Sequence, residues 1–159
     1  EYIRYAEKYG IFAKVAIQKI EKKLNSQKPE MKGRMKVQQI RILSHIEPKK
    51  AMAKLMALYN DQTYMNLLTT KEKGRVLNSI AWTFVEMKKV DETALKIARE
   101  SVAINKTPYN LDTLATILAN LGQYKEAIIL GKEALKDIKQ EPFLTESRDK
   151  IENWEQKLK

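Results

Sequence analysis

At 159 residues, with 43% hydrophobic and 31% charged residues, the chain is long enough for one domain with its own core and has the balance of a soluble globular protein. It has no cysteine, which excludes disulfides, thiolate catalysis and cysteine metal sites, and its longest apolar runs, such as Val102-Ala103-Ile104, are far too short to span a membrane. The net charge of +10 lies entirely in the front half: residues 1–75 hold 17 Lys/Arg against 7 Asp/Glu, whereas residues 76–159 hold 13 of each.

Gly and Pro together number nine, and Ala, Leu, Lys and Glu are abundant, so the chain reads as all-α, with seven to nine helices. The first helix is expected over residues 2–25, interrupted near Gly10, with Ala13, Ile17, Ile20 and Leu24 on one stripe. Asn25 to Pro29 is a connector of turn-forming residues. A second helix is expected over 30–46, with Val37, Ile40 and Leu43 or Ser44 facing inward. Pro48 suits the first turn of a third, over 48–60, which carries Met52, Leu55, Met56 and Tyr59 on one face. Asn60 to Thr63 reads as a turn, and Tyr64 to Leu68 as a short helical turn.

Thr69-Thr70-Lys71-Glu72 matches a capping box and should open a helix running to about Met87. Asp91 caps the next, to about Asn105. Thr107-Pro108 starts another that ends near Leu121, where Gly122 supplies the left-handed residue of a helix terminus. A helix from Tyr124 to Ile138 follows. After Pro142 comes a last helix with Ile151, Trp154 and Leu158 on its apolar stripe and charges elsewhere, as expected of a cap over an otherwise open core.

Two of these helices repeat. Leu77-x-x-Ile80-Ala81-x-x-Phe84 recurs 34 residues later as Leu111-x-x-Leu114-Ala115-x-x-Leu118. Ala94, Ala98, Ser101 and Val102 recur 33 residues later as Ala127, Gly131, Ala134 and Leu135. A period in this range marks a stacked helical array. These residues, together with the turn Gly122-Gln123-Tyr124, resemble the tetratricopeptide repeat, whose small positions let paired helices approach closely. The chain departs from that pattern in three places. Val90-Asp91 replaces the Gly-x-Tyr turn with one extra residue. Ala98 and Gly131 stand where the family usually has an aromatic. Pro108 and Pro142 lie late. The resemblance implies one continuous domain: a basic helical region over 1–74, of degenerate repeats or another helical packing, two repeats over 75–140 and a capping helix over 141–159.

The segments Asn78-Ser79-Ile80-Ala81-Trp82 and Tyr109-Asn110-Leu111-Asp112-Thr113 are also similar to the helical region that follows a thioredoxin-like domain in some secreted bacterial proteins. That similarity implies a periplasmic or secreted accessory arm, with the redox cysteines upstream of Glu1; otherwise a cytoplasmic location is expected. The chain opens without Met and inside an apolar pattern, and so reads as a fragment or processed product.

No cluster of chemistry-bearing residues stands out. His45 is the sole histidine and ends a basic helix, with no second histidine to share a metal or complete a triad. Carboxylates such as Glu152 and Asp137 fall on solvated faces, and the six methionines, Met31, Met35, Met52, Met56, Met65 and Met87, read as core filler. No catalytic residue, cofactor or metal is expected. The tetratricopeptide resemblance implies a concave groove lined by Asn78, Trp82 and Glu86 of the first copy and Asp112, Thr116 and Asn120 of the second, with Trp82 as anchor for an extended peptide. It does not imply the Lys/Asn clamp for a terminal carboxylate, because Trp82, Glu86 and Asp112 stand at those positions. The expected function is therefore a scaffold that binds a protein or peptide, as part of a longer protein. An alternative is nucleic-acid association through Lys19, Lys22, Lys23, Lys28, Lys32, Arg34, Lys36 and Arg41, with Tyr2, Tyr5 and Tyr9 stacking on bases.

Overall fold

A computed structural model describes Ala6 and residues 12–159. Gly10, Tyr2, Tyr5 and Tyr9, which bear on the first helix and on base stacking, lie outside the described residues. Among those described the chain is all-α, with nine helices and no strand: α1 (Ala13–Leu24), α2 (Pro29–Ser44), α3 (Pro48–Asn60), α4 (Gln62–Met65), α5 (Thr70–Glu86), α6 (Glu92–Ile104), α7 (Pro108–Asn120), α8 (Tyr124–Leu135) and α9 (Phe143–Gln156). None is long and apolar enough to cross a membrane.

Local chemistry sets most of the boundaries. Thr69 and Glu72 form the full capping box of α5: the Glu72 amide donates to Thr69 Oγ1 at 3.3 Å and the Thr69 amide to Glu72 Oε2 at 2.8 Å. Those bonds from the Thr69 amide and hydroxyl hold the Glu72 carboxyl below its ordinary range. Asp91 caps α6 through the Ala94 amide, and Thr107 caps α7 through that of Asn110. Asp61, expected within a turn, caps the short α4 through the Tyr64 amide, so that helix starts two residues before the expected one. The Tyr64 hydroxyl donates to the Pro29 carbonyl, and burial pushes its pKa up to about 12. α8 stops at Leu135, short of Ile138, because the Lys136 and Asp137 amides turn back to Glu133 and Ala134; Ile138 is still buried, beside Leu111 and Ala134.

The two repeat copies end their first helices alike. The Gln123 amide reaches back to the Leu118 carbonyl across Gly122, at φ 77°, and the Lys89 amide reaches the Phe84 carbonyl across Lys88, at φ 54°. Lys88 thus occupies a position that glycine fills without steric conflict. Lys88→Gly should raise stability by about 0.5–1 kcal/mol. Urea denaturation checks it, and a destabilised variant would mean that the turn does not need the left-handed form.

The helices pack as successive pairs: α2 with α3, α5 with α6, α7 with α8. The first members form one row, α2 on α5 and α5 on α7, and α1 lies against α2. The second members are linked by side chains: Tyr59 of α3 donates to Glu100 of α6 at 3.0 Å, and Arg99 of α6 pairs with Glu126 of α8 at 3.0 Å. The main core threads all three pairs, from Val37, Ile40 and Leu55 through Leu77, Ile80 and Phe84 to Leu114, Ile117 and Leu118. Ala81 and Ala115, the small residues of the repeat, have no exposed surface. α9 closes the array on α8, where a Cβ on Gly131 would come within 2.9 Å of Ile151 and 3.2 Å of Trp154. At Gly131 the close approach of the cap leaves no room for a side chain. Two expectations fail at the surface. Leu158 falls beyond the end of α9 and is exposed, and Met31 is exposed while Met65 is buried and Met52, Met56 and Met87 border the core.

Candidate functional site

Asn78, Trp82 and Glu86 lie four residues apart on α5 and so share one face of it. Trp82 is half-buried. Its indole N–H donates to Glu86 Oε1 at 2.9 Å, and Glu86 Oε2 lies 2.7 Å from Arg41 Nε of α2. Arg41 Nε also donates to Thr83 Oγ1 at 3.1 Å, and an Nη of the same guanidinium to the Ser79 carbonyl. Arg41, which belongs to the basic run of the front half, is thereby drawn into the first row of helices. It ties α2 to α5.

On α7, Asp112 and Thr116 are buried, and Asp112 keeps only 3% of its surface exposed. Both carboxylate oxygens accept from Lys150 Nζ at 2.7 Å, Oδ1 accepts from Ser147 Oγ at 2.9 Å, and Lys150 Nζ also reaches Thr116 Oγ1 at 3.2 Å. The donors come from α9, so the capping helix covers this part of the row. The Lys150 ammonium stands 5.9 Å from the centroids of both Trp82 and Phe143, within range of a cation–π attraction. Asn120 is exposed, and its amide donates only to the Thr116 carbonyl one turn back.

What remains open is a cleft of about 190 Å3 between α2, α5, α7 and the start of α9. Asn78, Trp82 and Asp112 line it with Arg41, and Tyr109 and Phe143, whose rings lie 5.2 Å apart, form its aromatic wall. Asn78 Oδ1 is shielded from solvent and accepts no hydrogen bond. Glu86 and Thr116 adjoin the cleft through the bonds described, and Asn120 stands apart from it.

Tyr109 and Lys150 were not among the residues expected from sequence, and Arg41 was expected only as one charge of the basic run. Lys150 had a signal: it stands 34 residues after Thr116, which stands 34 after Trp82. Tyr109 lies three residues before Asp112 on the same helical face. Arg41 had none, because its partners are on another helix. No protein-family model, no curated protein and no solved structure matches the chain.

Proposed function

We propose that the chain is a protein-interaction module of the tetratricopeptide type, which holds an extended peptide in the cleft between α2, α5 and α7. The observation that carries this reading is the Asn78 carboxamide. A buried acceptor left without a donor forgoes about 1–3 kcal/mol, and because Asn78 lines the cleft, rotation of its side chain would bring that oxygen out to a peptide N–H laid along α5. Trp82, Tyr109 and Phe143 give such a peptide flat apolar contacts on either side. The volume suits one side chain of the ligand, with its backbone running across the cleft. Arg41 and Lys150 are already engaged by Glu86 and Asp112, so recognition falls to the peptide backbone and to an apolar side chain.

The test is selection from a displayed library of random peptides, followed by titration of the chosen peptides against variants. A Trp154→Phe background leaves Trp82 as the sole tryptophan reporter. Asn78→Ala should keep the fold and weaken binding by about tenfold, and Trp82→Ala should weaken it further. Selected peptides that bind both variants as well as the parent chain, with Trp82 emission unchanged, would refute the assignment.

A further inference from the structure

A larger cavity, of about 590 Å3, opens where the end of α2, the start of α3 and the end of α5 meet. Its floor is apolar: Met52, Met87 and Pro48 line it, and both methionines rest on the main core. Its rim is basic, with exposed His45, Lys49 and Lys89. Among the described residues neither Lys49 nor Lys89 has an ion-pair partner, whereas the neighbouring Lys50 pairs with Glu47 at 3.1 Å. Glu86, the one carboxylate of the lining, is already matched by Arg41 and by the indole of Trp82. α3 starts at this rim and α2 and α5 end there, so the helix dipoles oppose one another and the positive field rests on the lysines.

The geometry points to a docking site for an acidic peptide segment, which seats one large apolar side chain on Met52 and Met87 and sets flanking carboxylates against Lys49 and Lys89. The cavity has the volume of a small-ligand site, enough for a leucine, methionine or phenylalanine side chain with the backbone beside it. Methionine flooring adapts to such a side chain without demanding one shape. The cations stand on separate helical termini, so a partner with several carboxylates answers them where a single-headed amphiphile answers one. The net charge of +10 favours the same class of partner at longer range. This site is separate from the Trp82 cleft and does not depend on the function proposed for it.

The methyl groups of the six methionines give a direct readout when the full chain is labelled with carbon-13 at those positions. The probe is a short synthetic peptide in which leucine and phenylalanine alternate with glutamate, added at low salt. It should shift the Met52 and Met87 signals and leave that of Met65 in place. Versions with serine for the apolar residues, or lysine for the glutamates, should shift neither. The exposed pair Lys49→Glu and Lys89→Glu should keep the circular dichroism of the parent and weaken the peptide by about tenfold. Asn78→Ala should leave its affinity unchanged. The proposal falls if the peptide moves neither methyl, if charge reversal leaves the affinity as it was, or if Asn78→Ala abolishes binding, which would put the peptide in the other cleft. It also falls if sodium decanoate or a single-stranded oligonucleotide moves Met52 and Met87 where the acidic peptide does not.

Discussion

Asp112→Ala is expected to lower the stability of the chain by about 3–4 kcal/mol, a large part of what a domain of this size possesses. The carboxylate is almost fully buried and accepts three hydrogen bonds from two donors: the Lys150 ammonium at both oxygens, and the Ser147 hydroxyl at one. Removing it strands the Ser147 hydroxyl, at 1% exposure, and leaves a cation facing Thr116 and two aromatic rings. Lys150 retains some solvent contact and would partly escape into water, so the lower part of the usual range for a broken buried pair applies. Adding Lys150→Met should recover about half of the loss, since methionine is close to lysine in size and removes the stranded charge. Urea denaturation of the three proteins measures both. A loss below about 1 kcal/mol for Asp112→Ala would show a solvated, loosely held carboxylate and a cap that does not depend on it.

Ala115→Trp is expected to cost about 3 kcal/mol or more by overpacking. Ala115 has no exposed surface and lies in the core cluster with Leu114, Ile117, Leu118 and Ala127. Close-packed interiors hold no void for an indole, so neighbouring side chains would have to leave their rotamers or the helices separate. The corresponding change at Ala81, also without exposed surface, should act similarly. Thermal unfolding decides the matter: an unchanged melting temperature for Ala115→Trp would mean that the register of the repeat is misplaced.

Features governed by neighbours in the chain are legible in the sequence. The Thr69–Glu72 box, the Asp91 and Thr107 caps and the left-handed Gly122 each depend on a few consecutive residues, and each took the expected form. The stripes of Val37, Ile40 and Leu43 and of Leu77, Ile80 and Phe84 were legible for the same reason, because burial on one face leaves a helical period. Contacts between distant segments were not. The Asp112–Lys150 pair spans 38 residues, and the turn from Lys136 to Pro142 hides the register in which α9 meets α7. The tetratricopeptide resemblance implied a groove position for Asp112 and Thr116 and gave no sign that α9 would cover them. Arg41 reads as one charge of a basic run, and only tertiary packing sets it beside Glu86. Nor does sequence show which of six methionines stays outside, since Met31 and Met35 are equally apolar and differ in what lies opposite them.

An array in which each helix touches little beyond its neighbours has no single keystone. Its unfolding is a matter of adjacent couplings, so a disturbance at one end is felt weakly at the other. The N-terminal cluster of Ala13, Ala16, Ile20 and Ile42 stands apart from the main core, and amide exchange would therefore open it first. A guest in the Trp82 cleft would change that order. By touching α2, α5, α7 and α9 together it would act as a splint across units that otherwise loosen one at a time. Its binding would then be felt as shared rigidity in helices it barely meets.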